Sequence, residues 1–282
     1  MIQRLAVVGV GLLGGSVAKA ARAQGIVREV IGIGRDRARM QAALDDGGLD
    51  HATSDLAEGV RGADFIVLAA PVRAIEDLLE RLWEAAPADA VVTDVGSSKT
   101  DIVRCAARLA RRRPLAFVGS HPMAGSEKSG YAVARTDLFR GALVVVTPTE
   151  ASDARAVKLV TAFWEHVGAR VTTLDPEAHD ASVAAISHLP HLVACALMDA
   201  VSREAPRALD LAARGFKDTT RIAAGDPQMW QEIFLANREP LTRAVGAFRR
   251  SLEELDRLVQ NGDPAAVAAA LARIKASREA LA

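Results

Sequence analysis

The sequence has little cysteine, no net charge and no long uninterrupted apolar run. Its 282 residues include only two cysteines, Cys105 and Cys195, which lie far apart in helix-like apolar patterns. So few thiols exclude a disulfide framework and favour a reducing compartment, with both cysteines as small buried hydrophobes. The 35 basic residues balance 35 acidic ones, so no broad charge attracts nucleic acid or a membrane surface.

No targeting or membrane-spanning segment is predicted. The apolar start of the chain is short, lacks a basic leader and is interrupted by glycines, unlike a secretory signal. No stretch reaches the ~18 uncharged apolar residues that are needed to cross a bilayer. We therefore expect a cytoplasmic protein.

The pattern of apolar runs changes near residue 175 and indicates two domains. A chain of 282 residues is near the limit for one hydrophobic core. The predicted strands are Leu5–Val10, Glu29–Gly34, Asp64–Ala69, Ala90–Val95, Leu115–Val118, Ala142–Thr147 and Arg170–Leu174. They alternate with helix-length segments, which predicts an α/β domain over 1–175 with a doubly wound, Rossmann-type parallel sheet. Residues 176–282 have only helical patterns, broken at prolines, and predict an all-helical domain.

The first strand leads into a glycine-rich turn that predicts a dinucleotide site. Gly9, Gly11 and Gly14 have the G-x-G-x-x-G spacing. These glycines permit the tight turn, the approach of the backbone to a pyrophosphate, and close packing of the next helix. The amide groups at the start of that helix, from Leu12 and Leu13 onward, would bind the phosphates. The alternative is a glycine-rich turn that binds nothing.

The end of the second strand bears on the choice between NAD and NADP. An NAD site usually carries Asp or Glu about 20 residues after the glycine turn. This sequence has Gly34 there, followed by Arg35. A small residue and an arginine leave room for a 2′-phosphate and supply a cation to bind it, which predicts NADP. Two alternatives stay open: Asp36 binds the ribose of NAD after a one-residue shift in register, or Arg35 and Arg37 are solvated loop charges.

Further segments carry more polar residues than packing requires. They are TDVGSSK (93–99), GSHPMAGSEKSG (119–130), HD (179–180), SHLPH (187–191) and GFKDTTR (215–221). The first follows a predicted strand, and the carboxyl ends of strands bind ligands in such sheets. The second places His121 in a predicted loop with Glu127 and Lys128. We interpret these segments as a site in the cleft between the two domains.

These segments are similar to motifs of the prephenate and arogenate dehydrogenases of tyrosine biosynthesis. The likeness runs in order from the glycine turn to DPQMW (226–230) and covers nearly the whole chain. It implies oxidation of a 4-hydroxycyclohexadiene acid, prephenate or arogenate, by NAD(P)+, with loss of CO2 as the ring becomes aromatic. It also implies a homodimer formed through the helical domain.

The resemblance implies a role for each site residue. His121 matches the catalytic histidine that accepts the proton of the substrate 4-hydroxyl, and Ser97 matches the serine that holds its imidazole next to the cofactor. Histidine suits this role because its pKa lies near working pH. Arg221 matches the arginine that binds the ring carboxylate, and His191 a histidine that meets the substrate side chain. The family has further residues around its pocket, and those of this chain that match them are Glu127, Asp218, Trp230 and His188.

Less specific interpretations stay open for several of these residues. His188 and His191 stand three apart in a helix that contains Pro190, and either is equally consistent with a hydrogen-bonded packing residue. Trp230 is equally consistent with a core residue. No zinc site is predicted, since the H-E-x-x-H spacing and a flanking cysteine pair are missing. Two other functions remain as alternatives, a β-hydroxyacid dehydrogenase of similar architecture and a dinucleotide sensor without turnover.

Overall fold

An eight-stranded sheet forms the centre of the protein in a computed structural model, which describes residues 1–125 and 128–281. The strands are β1 Ile2–Val8, β2 Val27–Ile33, β3 His51–Thr53, β4 Phe65–Leu68, β5 Val91–Asp94, β6 Ala116–Pro122, β7 Leu143–Thr147 and β8 Arg170–Thr173. Their spatial order is β3-β2-β1-β4-β5-β6-β7-β8. Neighbouring strands are parallel except β6 and β7, which are antiparallel. The predicted doubly wound, mostly parallel sheet is confirmed.

Helices connect the strands and make up the rest of the chain. The bounds are α1 Leu12–Ala23, α2 Arg37–Asp45, α3 Leu56–Val60, α4 Val72–Ala85, α5 Thr100–Ala110, α6 Ala154–His166, α7 Pro176–Val183, α8 Leu189–Glu204, α9 Arg214–Thr220, α10 Pro227–Ala236, α11 Arg238–Asn261 and α12 Pro264–Glu279. Several begin with an aspartate whose carboxylate accepts a backbone N–H, and Asp263 with Pro264 caps α12 as the sequence predicts. No strand follows β8 within the described residues.

The central strands are apolar throughout because both faces of the sheet are covered. Leu5 and Val7 of β1 contribute to one core cluster, together with Phe163 and Trp164 of α6. Ala6 and Val8 point to the opposite face and belong to a second cluster, with α4 and α5. Successive residues of a strand point to opposite faces, so a strand between two layers of helices needs apolar residues at every position.

Two details of the sheet differ from the sequence predictions. Strand β3 was not predicted, because its three residues are too few and too exposed for a recognisable apolar run. Strand β6 does not end at Val118 but continues to Pro122, so His121 lies on a strand rather than in a loop. The extension exists because β7 pairs with it antiparallel, with His121 opposite Val145.

The described chain forms two compact units, Met1–Asn237 and Arg238–Ala282. The first contains the whole sheet and the helices through α10. The second contains α11 and α12, which contact each other. Strands give way to helices between Thr173 and Pro176, and the predicted domain boundary at residue 175 stays a prediction.

One helix is longer and more apolar than the sequence analysis anticipated. Residues 176–204 form a continuous helical segment that is long and apolar enough, by length and composition alone, to cross a membrane. The expectation that no stretch reaches this threshold is therefore wrong by this measure, because mean hydropathy tolerates the serines and histidines within the run. Central helices of soluble proteins pass the same test. This helix carries buried polar side chains, including His179, Asp180 and His188, so one of its faces serves a polar site.

Candidate active site

The turn after β1 has the backbone features of a dinucleotide cradle. Gly9 has φ +97°, and a Cβ there would lie 2.4 Å from the carbonyl oxygen of Ala69. A Cβ on Gly14 would lie 1.9 Å from the carbonyl oxygen of Gly9, so α1 approaches the turn only because both residues are glycines. Beside Gly11, nothing lies within 4 Å of an added Cβ. Helix α1 then begins at Leu12 and Leu13 with no side-chain cap, and these features fit a bound pyrophosphate.

The residues after β2 have separate tasks in the structure. Strand β2 ends at Ile33, and Arg35 and Arg37 follow as exposed side chains. Asp36 is the N-cap of α2, where its Oδ1 accepts the N–H of Arg39 at 3.1 Å. Its Oδ2 lies 2.9 Å from Nε of Arg39. The carboxylate of Asp36 is thus bonded within the protein, whereas the NAD alternative requires it to bind the ribose of the cofactor.

A line of hydrogen bonds joins β6 to α7 at the polar end of the sheet. The Nδ1 atom of His121 lies 2.9 Å from Nε2 of His179. The Nδ1 atom of His179 lies 2.8 Å from Oδ1 of Asp180. His121 is half-buried, whereas His179 and Asp180 are buried. The structure thus brings the predicted catalytic histidine into contact with the HD segment, which the sequence analysis singled out without a role.

His121 is held as a neutral imidazole. Burial lowers its pKa well below the ordinary value of 6.5, and the nearby His179, Lys99 and His188 lower it further. A histidine that is neutral at working pH has a lone pair available to accept a proton. The environment of His121 therefore suits a general base.

Asp180 connects this line to the start of α5. Its two carboxylate oxygens accept the backbone N–H groups of Lys99 at 2.7 Å and Thr100 at 2.9 Å. Burial alone would raise the pKa of Asp180, but the hydrogen bonds from His179, Thr100 and Lys99 bring it below its ordinary value. Asp180 is therefore an ionised cap for α5 that is supplied by another helix.

A buried ion pair lies under the site. The Nζ atom of Lys99 is paired with the carboxylate of Asp94 and donates to the carbonyl oxygen of Ser120 at 3.0 Å. Lys99 has no exposed surface, and burial lowers its pKa even though Asp94 opposes the shift. The hydroxyl of Ser120 donates to the carbonyl of Asp94 at 2.6 Å and accepts the indole N–H of Trp164 at 3.0 Å. These bonds fix β5 against β6 just below His121.

Ser97 lies in the turn between β5 and α5 and is half-buried. Within the described residues it makes no hydrogen bond to His121, whose Nδ1 is bonded to His179 instead. The predicted role of Ser97 in holding the imidazole stays a prediction. The structure instead places His179, from the HD segment, against Nδ1 of His121.

Two histidines and a tryptophan form an aromatic wall on the helical side. The rings of His191 and Trp230 are stacked, with centroids 3.5 Å apart and an interplanar angle of 12°. His188 meets Trp230 edge-on at 6.4 Å. Burial lowers the pKa of His188 to about 4 and also lowers that of His191. The Nδ1 atom of His191 is buried and has no hydrogen-bond partner among the described residues.

The chain between α7 and α8 forms a π-helical turn, Ala184–His188. Pro190 has no N–H and cannot bond the carbonyl four residues earlier, so the ladder is interrupted there. The N–H of Leu189 bonds the carbonyl of Ala184, five residues back. Such wide turns are frequent at functional sites, and this one ends at His188, three residues before His191.

Asn237 is a site residue that sequence reasoning missed. Its side-chain amide donates to the carbonyl oxygen of Asp180 at 2.8 Å and lies 3.1 Å from Nδ1 of His188. An amide donor on Nδ1 leaves the proton of neutral His188 on Nε2. No local motif surrounds Asn237, and only its burial, at 1% exposure, reveals its role.

Other predicted site residues make no hydrogen bond or ion pair with this cluster in the part of the chain that the structure describes. Arg221 begins a 3₁₀ turn, Arg221–Ala224, that contacts α8, and it is exposed without an ion-pair partner among the described residues. Asp218 is exposed and pairs with Arg214, with 3.2 Å between Oδ2 and Nε. Glu127 lies outside the described residues. No hydrogen bond or ion pair joins Arg221 or Asp218 to His121 in the described part of the chain, and their roles stay predictions.

Comparisons with known proteins identify the family. Residues 17–173 match the nucleotide-binding domain of prephenate dehydrogenase, and residues 175–273 match its dimerization domain. The chain belongs to the prephenate dehydrogenase family. As a member it is an oxidoreductase with a nicotinamide-nucleotide-binding domain, and the predictions of family, fold class and enzyme class are confirmed. The β-hydroxyacid dehydrogenase alternative is not supported.

Individual relatives agree with this assignment. The chain is 34% identical to the prephenate dehydrogenase of Bacillus subtilis, over 90% of this chain and 70% of the relative. It matches the crystal structure of prephenate dehydrogenase from A. aeolicus, in complex with hydroxyphenyl propionate and NAD+, with a TM-score of 0.93 and 35% identity, over 100% of this chain and 99% of that one. The match to Synechocystis arogenate dehydrogenase has a TM-score of 0.88 and 32% identity, over 99% and 100% of the two chains.

Proposed function

We propose that this protein oxidises prephenate to 4-hydroxyphenylpyruvate and CO2 and transfers the hydride to NADP+, in the biosynthesis of tyrosine. The observation that carries the proposal is His121, a neutral imidazole hydrogen-bonded to His179 at the end of the sheet. The glycine turn at Gly9 to Gly14 fits the pyrophosphate of the cofactor. When bound, the nicotinamide accepts the hydride from the substrate carbon that carries the 4-hydroxyl.

His121 has the central part in the proposed reaction. It takes the 4-hydroxyl proton on Nε2 while the C–H bond of the same carbon breaks and the carbonyl forms. The ring C–CO2⁻ bond then breaks, and its electron pair makes the ring aromatic and the oxygen a phenolate. The proton returns from His121 to that oxygen, so no net proton is released. A positioned base of this kind contributes ~10²–10⁴ in rate.

The substrate carboxylates need cationic and hydrogen-bonding partners. We assign the ring carboxylate to Arg221, whose guanidinium is exposed and unpaired within the described residues. A guanidinium binds a carboxylate through paired N–H bonds and keeps it ionised, which departure as CO2 requires. The side chain of the substrate lies against His191 and Trp230 in this proposal. The Nδ1 atom of His191, which has no partner in the described part of the chain, then hydrogen-bonds that side chain.

Arogenate is the second candidate substrate, favoured by the likeness to the Synechocystis arogenate dehydrogenase. Prephenate has a keto group on its side chain where arogenate has an amine, and this position is far from the reacting carbon. The test is a steady-state assay that crosses prephenate and arogenate with NAD+ and NADP+. Turnover of either acid, lowered ~10²–10⁴-fold in kcat by His121→Ala, supports the proposal. A folded protein that oxidises neither acid contradicts it.

The preference for NADP rests on Arg35 and Asp36. Arg35 is exposed one residue after Gly34, and Asp36 is engaged as the cap of α2. A homodimer through the helical domain is supported by the dimerization-domain match and by apolar side chains that α11 and α12 leave exposed: Leu252, Val259, Leu271 and Ile274. A cytoplasmic location remains our proposal, consistent with two free cysteines.

A further inference from the structure

We propose that Asp180 and His179 position the base: they hold His121 in the tautomer that carries its proton on Nδ1, and they stabilise the imidazolium that forms during turnover. The inference deepens the proposed function and rests on it, because it assigns work to residues that act through His121. It is drawn from the hydrogen bonds between the three side chains and from those of Asp180 to the backbone.

The direction of each hydrogen bond follows from Asp180. Both oxygens of its carboxylate accept backbone N–H groups, from Lys99 and Thr100, so the carboxylate acts only as an acceptor. The Nδ1 of His179 lies 2.8 Å from the same carboxylate and must therefore be the donor. In the proposed arrangement His179 has a single ring proton, which its bond to Asp180 places on Nδ1, so Nε2 is an acceptor.

The same argument determines the state of His121. Its Nδ1 lies 2.9 Å from the acceptor Nε2 of His179, so Nδ1 carries the proton. The Nε2 atom of His121 is left with the lone pair that a general base needs. Without such a partner, an imidazole exchanges between the two tautomers, and part of the population has no lone pair at the reacting nitrogen.

The hydrogen-bonded line His121–His179–Asp180 also supplies the negative charge that stabilises the imidazolium after proton transfer. Among the described residues, the titratable groups whose charges act on the pKa of His121 are His179, Lys99 and His188, none of which is anionic. The charge of Lys99 is matched by Asp94 within the buried pair. In the part of the chain that the structure describes, Asp180 is the carboxylate that acts on His121 through His179 when the imidazolium forms. A neutral hydrogen-bond chain that ends in a buried carboxylate favours that cation.

Asp180 has a second task that explains why it is buried. The carboxylate of Asp180 caps the start of α5, directly after the turn that carries Ser97. The backbone carbonyl oxygen of Asp180 accepts a hydrogen bond from the side chain of Asn237. One carboxylate therefore fixes both the base and the neighbouring turn. A variant at Asp180 would disturb both, so His179 is the better position for a test.

The experiment compares His179→Leu with His179→Gln. The glutamine keeps an acceptor oxygen for Nδ1 of His121, and the leucine does not. Nitrogen-15 NMR of the imidazole groups, with six histidines in the chain, reports the tautomer of His121 directly. We expect the Nδ1–H form in the wild type and in His179→Gln, and a mixture with the Nε2–H form in His179→Leu. We expect kcat to fall ~10–100-fold in His179→Leu with little change in KM, and the glutamine to restore most of it.

The matched control is His166→Leu. His166 is an exposed histidine of α6 that contacts the carbonyl of Ala162 in its own helix, and its substitution should leave tautomer and kcat unchanged. An Nε2–H tautomer of His121 in the wild type overturns the inference, even when the variants do not fold. An unchanged kcat in folded His179→Leu also overturns it. Failure of the proposed function is distinct, since the wild type would then oxidise neither acid whatever its tautomer.

Discussion

At the scale of single residues, His121 determines how activity depends on pH. Burial lowers its pKa well below 6.5, so folding favours the neutral form, which is the form that the proposed base requires. We expect log(kcat/KM) to be independent of this group between about pH 6.5 and 8 and to fall with unit slope only at lower pH, below the folded pKa. A pH–rate profile with the preferred acid measures this. An acid limb centred at or above pH 6.5 would contradict the described environment of His121.

The residues of the site differ in how far sequence reasoning could reach. His121 stands in a segment too rich in polar groups for a plain connector, and it is found at the end of the sheet. Asn237 and Lys99 could not be assigned, because their side chains donate to the carbonyl oxygens of residues far away in sequence, Asp180 and Ser120 respectively. A buried amide or ammonium group gives no local signal until the partner that satisfies it is known.

At the scale of elements, the pair of Lys99 and Asp94 holds β5 and β6 together under the site. Lys99→Met should lower the free energy of unfolding by ~3–5 kcal/mol, because it leaves the carboxylate of Asp94 buried without its cation. Urea denaturation measures the change. Lys158→Met, at an exposed position of α6, is the matched control and should change the stability by less than ~0.5 kcal/mol. Equal stability of the two variants would show that the pair contributes nothing.

The connection between β2 and α2 carries the prediction on cofactor preference. Arg35→Ala should raise the KM for NADP+ ~10-fold or more and leave that for NAD+ nearly unchanged, since a charge-assisted bond to a phosphate is lost. The measurement is the ratio of kcat/KM for the two cofactors. Arg37→Ala is the control on the same turn. Parallel losses with both cofactors would instead indicate general damage to this turn.

The elements were predictable where the apolar pattern was long. The predicted strands all exist, and the central ones have two buried faces and therefore an apolar run, whereas the edge strand β8 is largely exposed. Strand β3 has three residues, and the last part of β6 is Gly119 to Pro122, which has no strand-like pattern. This last part of β6 is a strand because it pairs with β7, and the strand propensities of its own residues do not predict that pairing. The π-helical turn Ala184–His188 was not predicted either.

At the scale of the whole molecule, the second unit should mediate assembly. The exposed apolar side chains of α11 and α12 lie next to or within the region that matches the dimerization domain. Leaving this many apolar side chains in contact with water in a monomer is unfavourable. We expect a mass of about twice the 29.8 kDa chain by light scattering at micromolar concentration. Leu271→Lys, compared with Lys275→Ala in the same helix, should favour the monomer. A monomeric wild type would contradict the proposed assembly.

The double engagement of Asp180 restricts how this enzyme can open and close. If α7 swung away from the sheet, the base would lose its support and α5 would lose its cap in the same motion. We therefore expect α7 to stay attached to the ends of β5 and β6 while substrate and product exchange.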